Sequence, residues 1–167
     1  MGNSPQLQLG HRRRPSICAE GITHMDYVTP ASSSPPSTKR PKILLVEDDA
    51  FVMEVTQALL RKHFEVVSAA SVPEATHHIT AQHFDVLLTD LHLPGDGDGY
   101  ALVNVMRQTQ PEAMILLASG SMVDANLASA LQIDEVIMKP YEVDELAQRI
   151  VHKLQPANRG RERSQHA

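Results

Sequence analysis

Five short apolar segments alternate with five segments that carry apolar residues at helical spacing between residues 42 and 154. The predicted strands are KILLVEDD, FEVVSAA, DVLLTD, AMILLAS and EVIMK. The predicted helices are AFVMEVTQALLRKH, VPEATHHITAQH, YALVNVMRQT, VDANLASALQ and EVDELAQRIVHKL. Strands that are apolar throughout, without alternation, are buried on both faces, as happens where helices cover a parallel sheet. The pattern therefore predicts an α/β fold with a doubly wound five-stranded parallel sheet in a three-layer sandwich.

Composition divides the chain into three parts. Residues 1–41 are rich in Pro and Ser and are predicted to be a disordered basic tail, residues 42–155 form the domain, and residues 156–167 form a short disordered basic tail. Residues 43–155 carry a net charge of −11, whereas both tails are basic. Because binding to a phosphate backbone depends on Lys and Arg, the acidic body argues against direct nucleic-acid binding and favours holding a cation.

The hydropathy of the chain argues against a membrane protein. No apolar run approaches the length of about 20 residues that a membrane span needs, and the N-terminus lacks the apolar core of a signal peptide. We therefore expect no membrane association and a cytoplasmic location.

Polar side chains stand at the predicted carboxyl ends of four strands. They are Glu47, Asp48 and Asp49 after the first strand, Asp90 at the third, Ser119 at the fourth and Lys139 at the fifth. In a doubly wound sheet these ends form one edge, where ligands bind. Carboxylates that crowd there need a cation, and oxygen ligands suit Mg²⁺. A lysine at the same edge would neutralise a further anion, and a hydroxyl would donate a hydrogen bond to it. Together these residues provide what a phosphorylated aspartate needs: a carboxylate nucleophile, a metal and two donors.

Four segments resemble the receiver domains of two-component response regulators, over residues 42–155. They are ILLVEDD, LLTDLHLP, LLASG and IMKP. The resemblance implies a flavodoxin-like (βα)5 fold in which Asp90 is the phosphoacceptor, while Ser119 and Lys139 stabilise the phosphorylated product. It also implies a cis peptide bond between Lys139 and Pro140.

The resemblance further implies a metal site and partners. Mg²⁺ is expected on Asp48, Asp90 and the backbone carbonyl of His92, with Glu47 acting through water. The phosphoryl donor is expected to be a histidine kinase or a histidine phosphotransfer protein. The segment after Leu154 is too short for an output domain, so a stand-alone receiver that signals through an unknown downstream protein partner is expected. It would be no enzyme beyond self-catalysed phosphorylation and dephosphorylation.

Three positions depart from the family pattern. The family usually has a glycine eight residues after the acceptor, a place that Asp98 occupies here with Gly99 following, so the loop carries one extra residue. The aromatic residue often found three positions before the lysine is Val136, and Gln132 replaces a glycine before the fifth strand. Val136 favours the rival hypothesis of a phosphorylation-independent scaffold or adaptor.

Other interpretations of these residues are simpler or belong to other classes. Asp90 is alternatively a cap for the next turn, Ser119 a cap for the fourth helix, and Lys139 a solvated side chain. The GDGDG segment lacks the third glycine of a dinucleotide-binding loop and the closing glutamate of a calcium loop. A metal-dependent aspartyl phosphatase needs an acid two residues after its nucleophile, where His92 stands.

Overall fold

The computed structural model describes residues 39–95 and 98–155, and the predicted tails lie almost entirely outside these ranges. Five strands alternate with five helices. They are β1 Lys42–Val46, α1 Ala50–Leu60, β2 Glu65–Ala69, α2 Val72–Ala81, β3 Val86–Asp90, α3 Gly99–Thr109, β4 Met114–Ser119, α4 Ala125–Ala130, β5 Glu135–Met138 and α5 Val143–Leu154. The strands pair in parallel in the order β2-β1-β3-β4-β5. The predicted doubly wound fold is confirmed.

The two faces of the sheet are covered by different helices. Successive residues of a strand point to opposite faces, so Leu44 packs in a cluster with α2 and α3, including Met106. Its neighbour Leu45 packs in a second cluster with α1 and α5, including Leu60 and Ile150. Because both faces are buried, the strands carry apolar residues without alternation.

Capping residues set the starts of two helices, α1 and α4. β1 ends at Val46, before the three acids, and the Asp49 carboxylate caps α1 by accepting hydrogen bonds from the amides of Phe51 and Val52. The fourth helix was predicted over residues 123–132 but spans Ala125–Ala130. Asp124 caps its start, and beyond its end Gln132 adopts a left-handed conformation with φ 55°.

The end of α2 is a second correction. The helix stops at Ala81, so His83, which was predicted to be helical, lies beyond it. The reason is local, because Gln82 adopts extended backbone angles. Within the ranges that the structure describes, no helix is long and apolar enough to cross a membrane.

Candidate functional site

Three carboxylates meet at the carboxyl edge of the sheet. β1 and β3 are neighbours with Val46 paired to Thr89, so the residues that follow them, Glu47 and Asp90, reach the same place. One carboxylate oxygen from each of Glu47, Asp48 and Asp90 lies within 4.8 Å of the others. Glu47 is buried, Asp90 is half-buried and Asp48 is exposed. Such a set of hard oxygen ligands fits a cation that is reached from solvent.

Lys139 brings a positive charge into this cluster from the end of β5. Its ammonium donates to Oδ2 of Asp90 at 2.6 Å and to Oε2 of Glu47 at 2.8 Å. Burial opposes the charge on Lys139, but the hydrogen bonds to Asp90 and Glu47 outweigh it and hold the lysine pKa above its usual value of 10.5. Three carboxylates and one ammonium leave two negative charges, which a divalent cation would balance.

Ser119 ends β4 and is fully buried. Its hydroxyl oxygen accepts the backbone N–H of Ser121 at 3.1 Å, and its carbonyl accepts the N–H of Lys139 at 2.8 Å. The helix α4 is capped by Asp124, so Ser119 does not have the capping role considered as an alternative. The peptide bond between Lys139 and Pro140 is cis, as the resemblance implied.

Both oxygens of Asp90 have hydrogen-bond donors. Oδ1 accepts the backbone N–H of His92 at 3.1 Å, and Oδ2 accepts from Lys139. The Asp90 side chain therefore caps the turn to His92, as the alternative interpretation predicted, and also forms the ion pair with Lys139. The side chain of His92 is exposed, and the role of its carbonyl as a metal ligand stays a prediction.

Gly99, which follows Asp98 at the start of α3, makes a close backbone contact with β3. A Cβ on Gly99 would lie 2.4 Å from the carbonyl oxygen of Asp90 and 2.9 Å from Cδ1 of Leu117. The Gly99 N–H donates to the carbonyl of Leu91 at 2.9 Å, while Asp98 caps α3. Only glycine fits this contact. The need for a glycine therefore falls at Gly99. That the loop carries one extra residue stays a prediction.

The fold and site together define a class of protein: a small doubly wound α/β domain with a strand-end aspartate, a cation-type acidic cluster and a paired lysine at one sheet edge. Residues 43–151 match the family of the response regulator receiver domain. The chain belongs to this family, and the acidic cluster of Glu47, Asp48 and Asp90 fits its Mg²⁺ and aspartyl-phosphate site.

Individual relatives agree with this assignment. The chain is 30% identical over 122 residues to the response regulator protein PilR of Pseudomonas aeruginosa, covering 71% of this chain and 27% of PilR. The chain spans only part of the length of two curated relatives, 27% of PilR and 52% of the heme response regulator HssR of Staphylococcus saprophyticus.

Solved structures share the fold. A CheY-like receiver domain protein from Methanospirillum hungatei superposes with a TM-score of 0.65 and 28% identity, over 70% of this chain and 94% of that one. The response regulator TrrA from Thermotoga maritima, solved in complex with Mg²⁺ and beryllium fluoride, gives a TM-score of 0.59 at 23% identity, over 68% of this chain and 99% of that one. At this identity the second comparison shows the fold alone.

Proposed function

We propose that this receiver takes a phosphoryl group onto Asp90 from a phosphohistidine of a histidine kinase or a histidine phosphotransfer protein. The observation that carries the proposal is the 2.6 Å contact between Asp90 and Lys139 inside a cluster of three carboxylates. A strand-end carboxylate that only capped a turn would need neither the lysine nor two further acids beside it.

In the proposed transfer a carboxylate oxygen of Asp90 attacks phosphorus and the N–P bond of the donor breaks. The electron pair of that bond stays on the imidazole, which takes up a proton. Lys139 then pairs with an oxygen of the new phosphoryl group, and the Ser119 hydroxyl donates to another. Both donors are near at hand, because Lys139 already contacts Asp90 and Ser119 ends the adjacent strand β4.

Asp48, Asp90 and the carbonyl of His92 would hold Mg²⁺, with Glu47 acting through water. When bound, the ion supplies positive charge that offsets the charge of the phosphoryl oxygens. The fit rests on the oxygen-only donor set and on its two uncompensated negative charges.

Phosphorylation would signal by shifting an equilibrium between two arrangements of α4, β5 and α5, and thereby the affinity for a downstream protein. Support for this location is structural. The backbone of Ser119 is tied to Lys139 at the end of β5, and none of the residues of α4 is buried. Because Ser119 also leads into α4 through residues 120–124, a change at Ser119 has a short path along the chain to this exposed helix.

The test is incubation with acetyl phosphate and Mg²⁺ followed by intact-mass analysis. We expect one added phosphoryl group in the wild type and in Asp144→Asn, which alters an exposed acid that pairs with Lys62 and is not part of the acidic cluster. Asp90→Asn should show no adduct. A wild type that stays unmodified under saturating donor contradicts the proposal.

A second candidate is a phosphorylation-independent scaffold, favoured by Val136 at a place where receivers often carry an aromatic residue. It predicts partner binding that Asp90→Asn and removal of Mg²⁺ leave unchanged. Pull-down of a partner by phosphorylated, unphosphorylated and Asp90→Asn protein separates the two functions.

A further inference from the structure

Arg107, near the end of α3, makes an unusually dense set of contacts. Its Nη1 donates to the carbonyls of Pro111 at 3.1 Å and Ala113 at 2.7 Å. Its Nε donates to the carbonyl of Gln132 at 3.0 Å, and its Nη2 donates to Oδ2 of Asp134 at 2.7 Å. Nη2 also donates to the Gln132 carbonyl. The Arg107 side chain is only 16% exposed, whereas the Asp134 carboxylate that it contacts is 43% exposed. Arginine suits this place because its planar fork serves several acceptors at once.

Two of the partners of Arg107, Gln132 and Asp134, lie just beyond the carboxyl end of α4. Gln132 is the residue with the left-handed φ of 55°, a conformation that a non-glycine residue rarely adopts. Asp134, the other partner, also accepts the backbone N–H of Ile115 in β4 at 2.7 Å. The guanidinium therefore compensates for the missing glycine and fastens the loop to α3 and β4.

The two ends of α4 are held very differently. At the carboxyl end, Leu131 and Ile133 pack against the cluster under α2 and α3, next to the Arg107 contacts. At the amino end, residues 120–124 connect the helix to Ser119, and Met122 in this segment is 92% exposed. The helix itself has six residues and none of them is buried.

We infer that Arg107 fixes the carboxyl end of α4, so that phosphorylation of Asp90 displaces the helix at its amino end and α4 turns about residues 131–134. The inference rests on the proposed phosphorylation. If Ser119 is drawn toward the phosphoryl group, the displacement enters α4 through residues 120–124. Because the carboxyl end of α4 is fixed, this displacement rotates the helix and does not translate it.

Residue-resolved amide hydrogen exchange of the full chain tests the anchor. The N–H groups of Ile133 and Asp134 are hydrogen-bonded to the carbonyls of Ala128 and Ile115, so their exchange reports opening of this loop. Without ligand, Arg107→Ala should speed their exchange about tenfold, the order expected when hydrogen bonds from a charged donor are lost. The control Arg149→Ala removes an exposed arginine paired with Glu135 and should leave these amides unchanged.

A second arm adds Mg²⁺ and beryllium fluoride as a phosphoryl analogue. Within residues 120–134, the exchange changes of the wild type should be confined to residues 120–127, and in Arg107→Ala they should extend through residues 131–134. Wild-type changes at 131–134 as large as those at 120–127 would overturn the hinge, as would unaltered exchange of Ile133 and Asp134 in the variant without ligand.

Two further readouts keep the outcomes separable. If the alanine variant does not fold, Arg107→Lys retains the charge beside Asp134 but not the fork, and the same loss of protection is expected. A wild type that binds no beryllium fluoride contradicts the proposed function and the rotation, whereas the ligand-free arm still decides whether Arg107 anchors the loop.

Discussion

The ammonium nitrogen of Lys139 lies 2.6 Å from Oδ2 of Asp90, although the two residues are 49 positions apart in the chain. The same nitrogen lies 2.8 Å from the buried Glu47. One lysine therefore pairs with two acids of the cluster in the absence of a phosphoryl group and offsets one of their negative charges. Lys139 is thus already positioned to pair with a phosphoryl group on Asp90. Its present ion pairs with Asp90 and Glu47 contribute to the free energy of folding.

Replacement of Lys139 by Met should destabilise the metal-free protein by about 2 kcal/mol, because buried Glu47 and half-buried Asp90 lose their counter-charge. Urea unfolding in chelator measures this. Lys62→Met, which removes an exposed pair with Asp144, is the control and should cost less than about 1 kcal/mol. Equal losses in the two variants would show that the Lys139 pair is no stronger than a surface contact.

Asp48→Asn should have opposite effects with and without metal. Without Mg²⁺ it relieves repulsion and leaves stability unchanged or raised, whereas Mg²⁺ affinity should fall about tenfold or more as a charged ligand is lost. Thermal unfolding across a Mg²⁺ titration measures both. The control Asp49→Ala removes the cap of α1 and should cost about 1 kcal/mol while Mg²⁺ affinity is retained. Identical Mg²⁺ responses in the two variants would rule out Asp48 as a ligand.

Gly99→Ala should destabilise the fold by about 2–3 kcal/mol and slow phosphoryl uptake, because the new methyl group would overlap the carbonyl of Asp90 and push the acceptor out of place. Chemical denaturation and the acetyl phosphate assay measure the two effects. At Gly120 a Cβ meets nothing within 4 Å, so Gly120→Ala serves as the control for stability and should be nearly neutral. A stable Gly99→Ala protein would mean that the α3 start moves freely.

Tyr141 gives stability a pH dependence at high pH. Burial raises the pKa of this phenol above its ordinary value of 10.0. The folded-state pKa is thus above the unfolded one, so the contribution to stability is complete below the unfolded pKa and disappears as pH rises through the folded pKa. Urea midpoints should fall less steeply above pH 10.0 in Tyr141→Phe than in the wild type. Absorbance titration of both proteins checks the pKa directly, and indistinguishable curves would contradict the shift.

Much of this protein could be predicted from local sequence. Strand runs such as KILLV and VLLT, with no polar alternation, require cover on both faces, and helical spacing between them supplies it. Strand direction then places Glu47, Asp90 and Lys139 at one edge, because the carboxyl ends of parallel strands coincide. The fold and the edge at which the acids meet follow from these two facts, whereas Asp49, which the sequence groups with them, caps α1 and lies outside the cluster of Glu47, Asp48 and Asp90.

The tertiary structure alone decided the contacts between segments that are distant in sequence. It placed the required glycine at Gly99 because the distance from α3 to the Asp90 carbonyl, not a residue count, sets that need. It also paired Lys139 with Glu47 as well as with Asp90, and it brought Arg107 to the Gln132 carbonyl. Periodicity and strand-end composition specify which face and which edge a residue occupies. Hydrogen-bond partners depend on ångström-scale separations that only the packed helices and sheet establish.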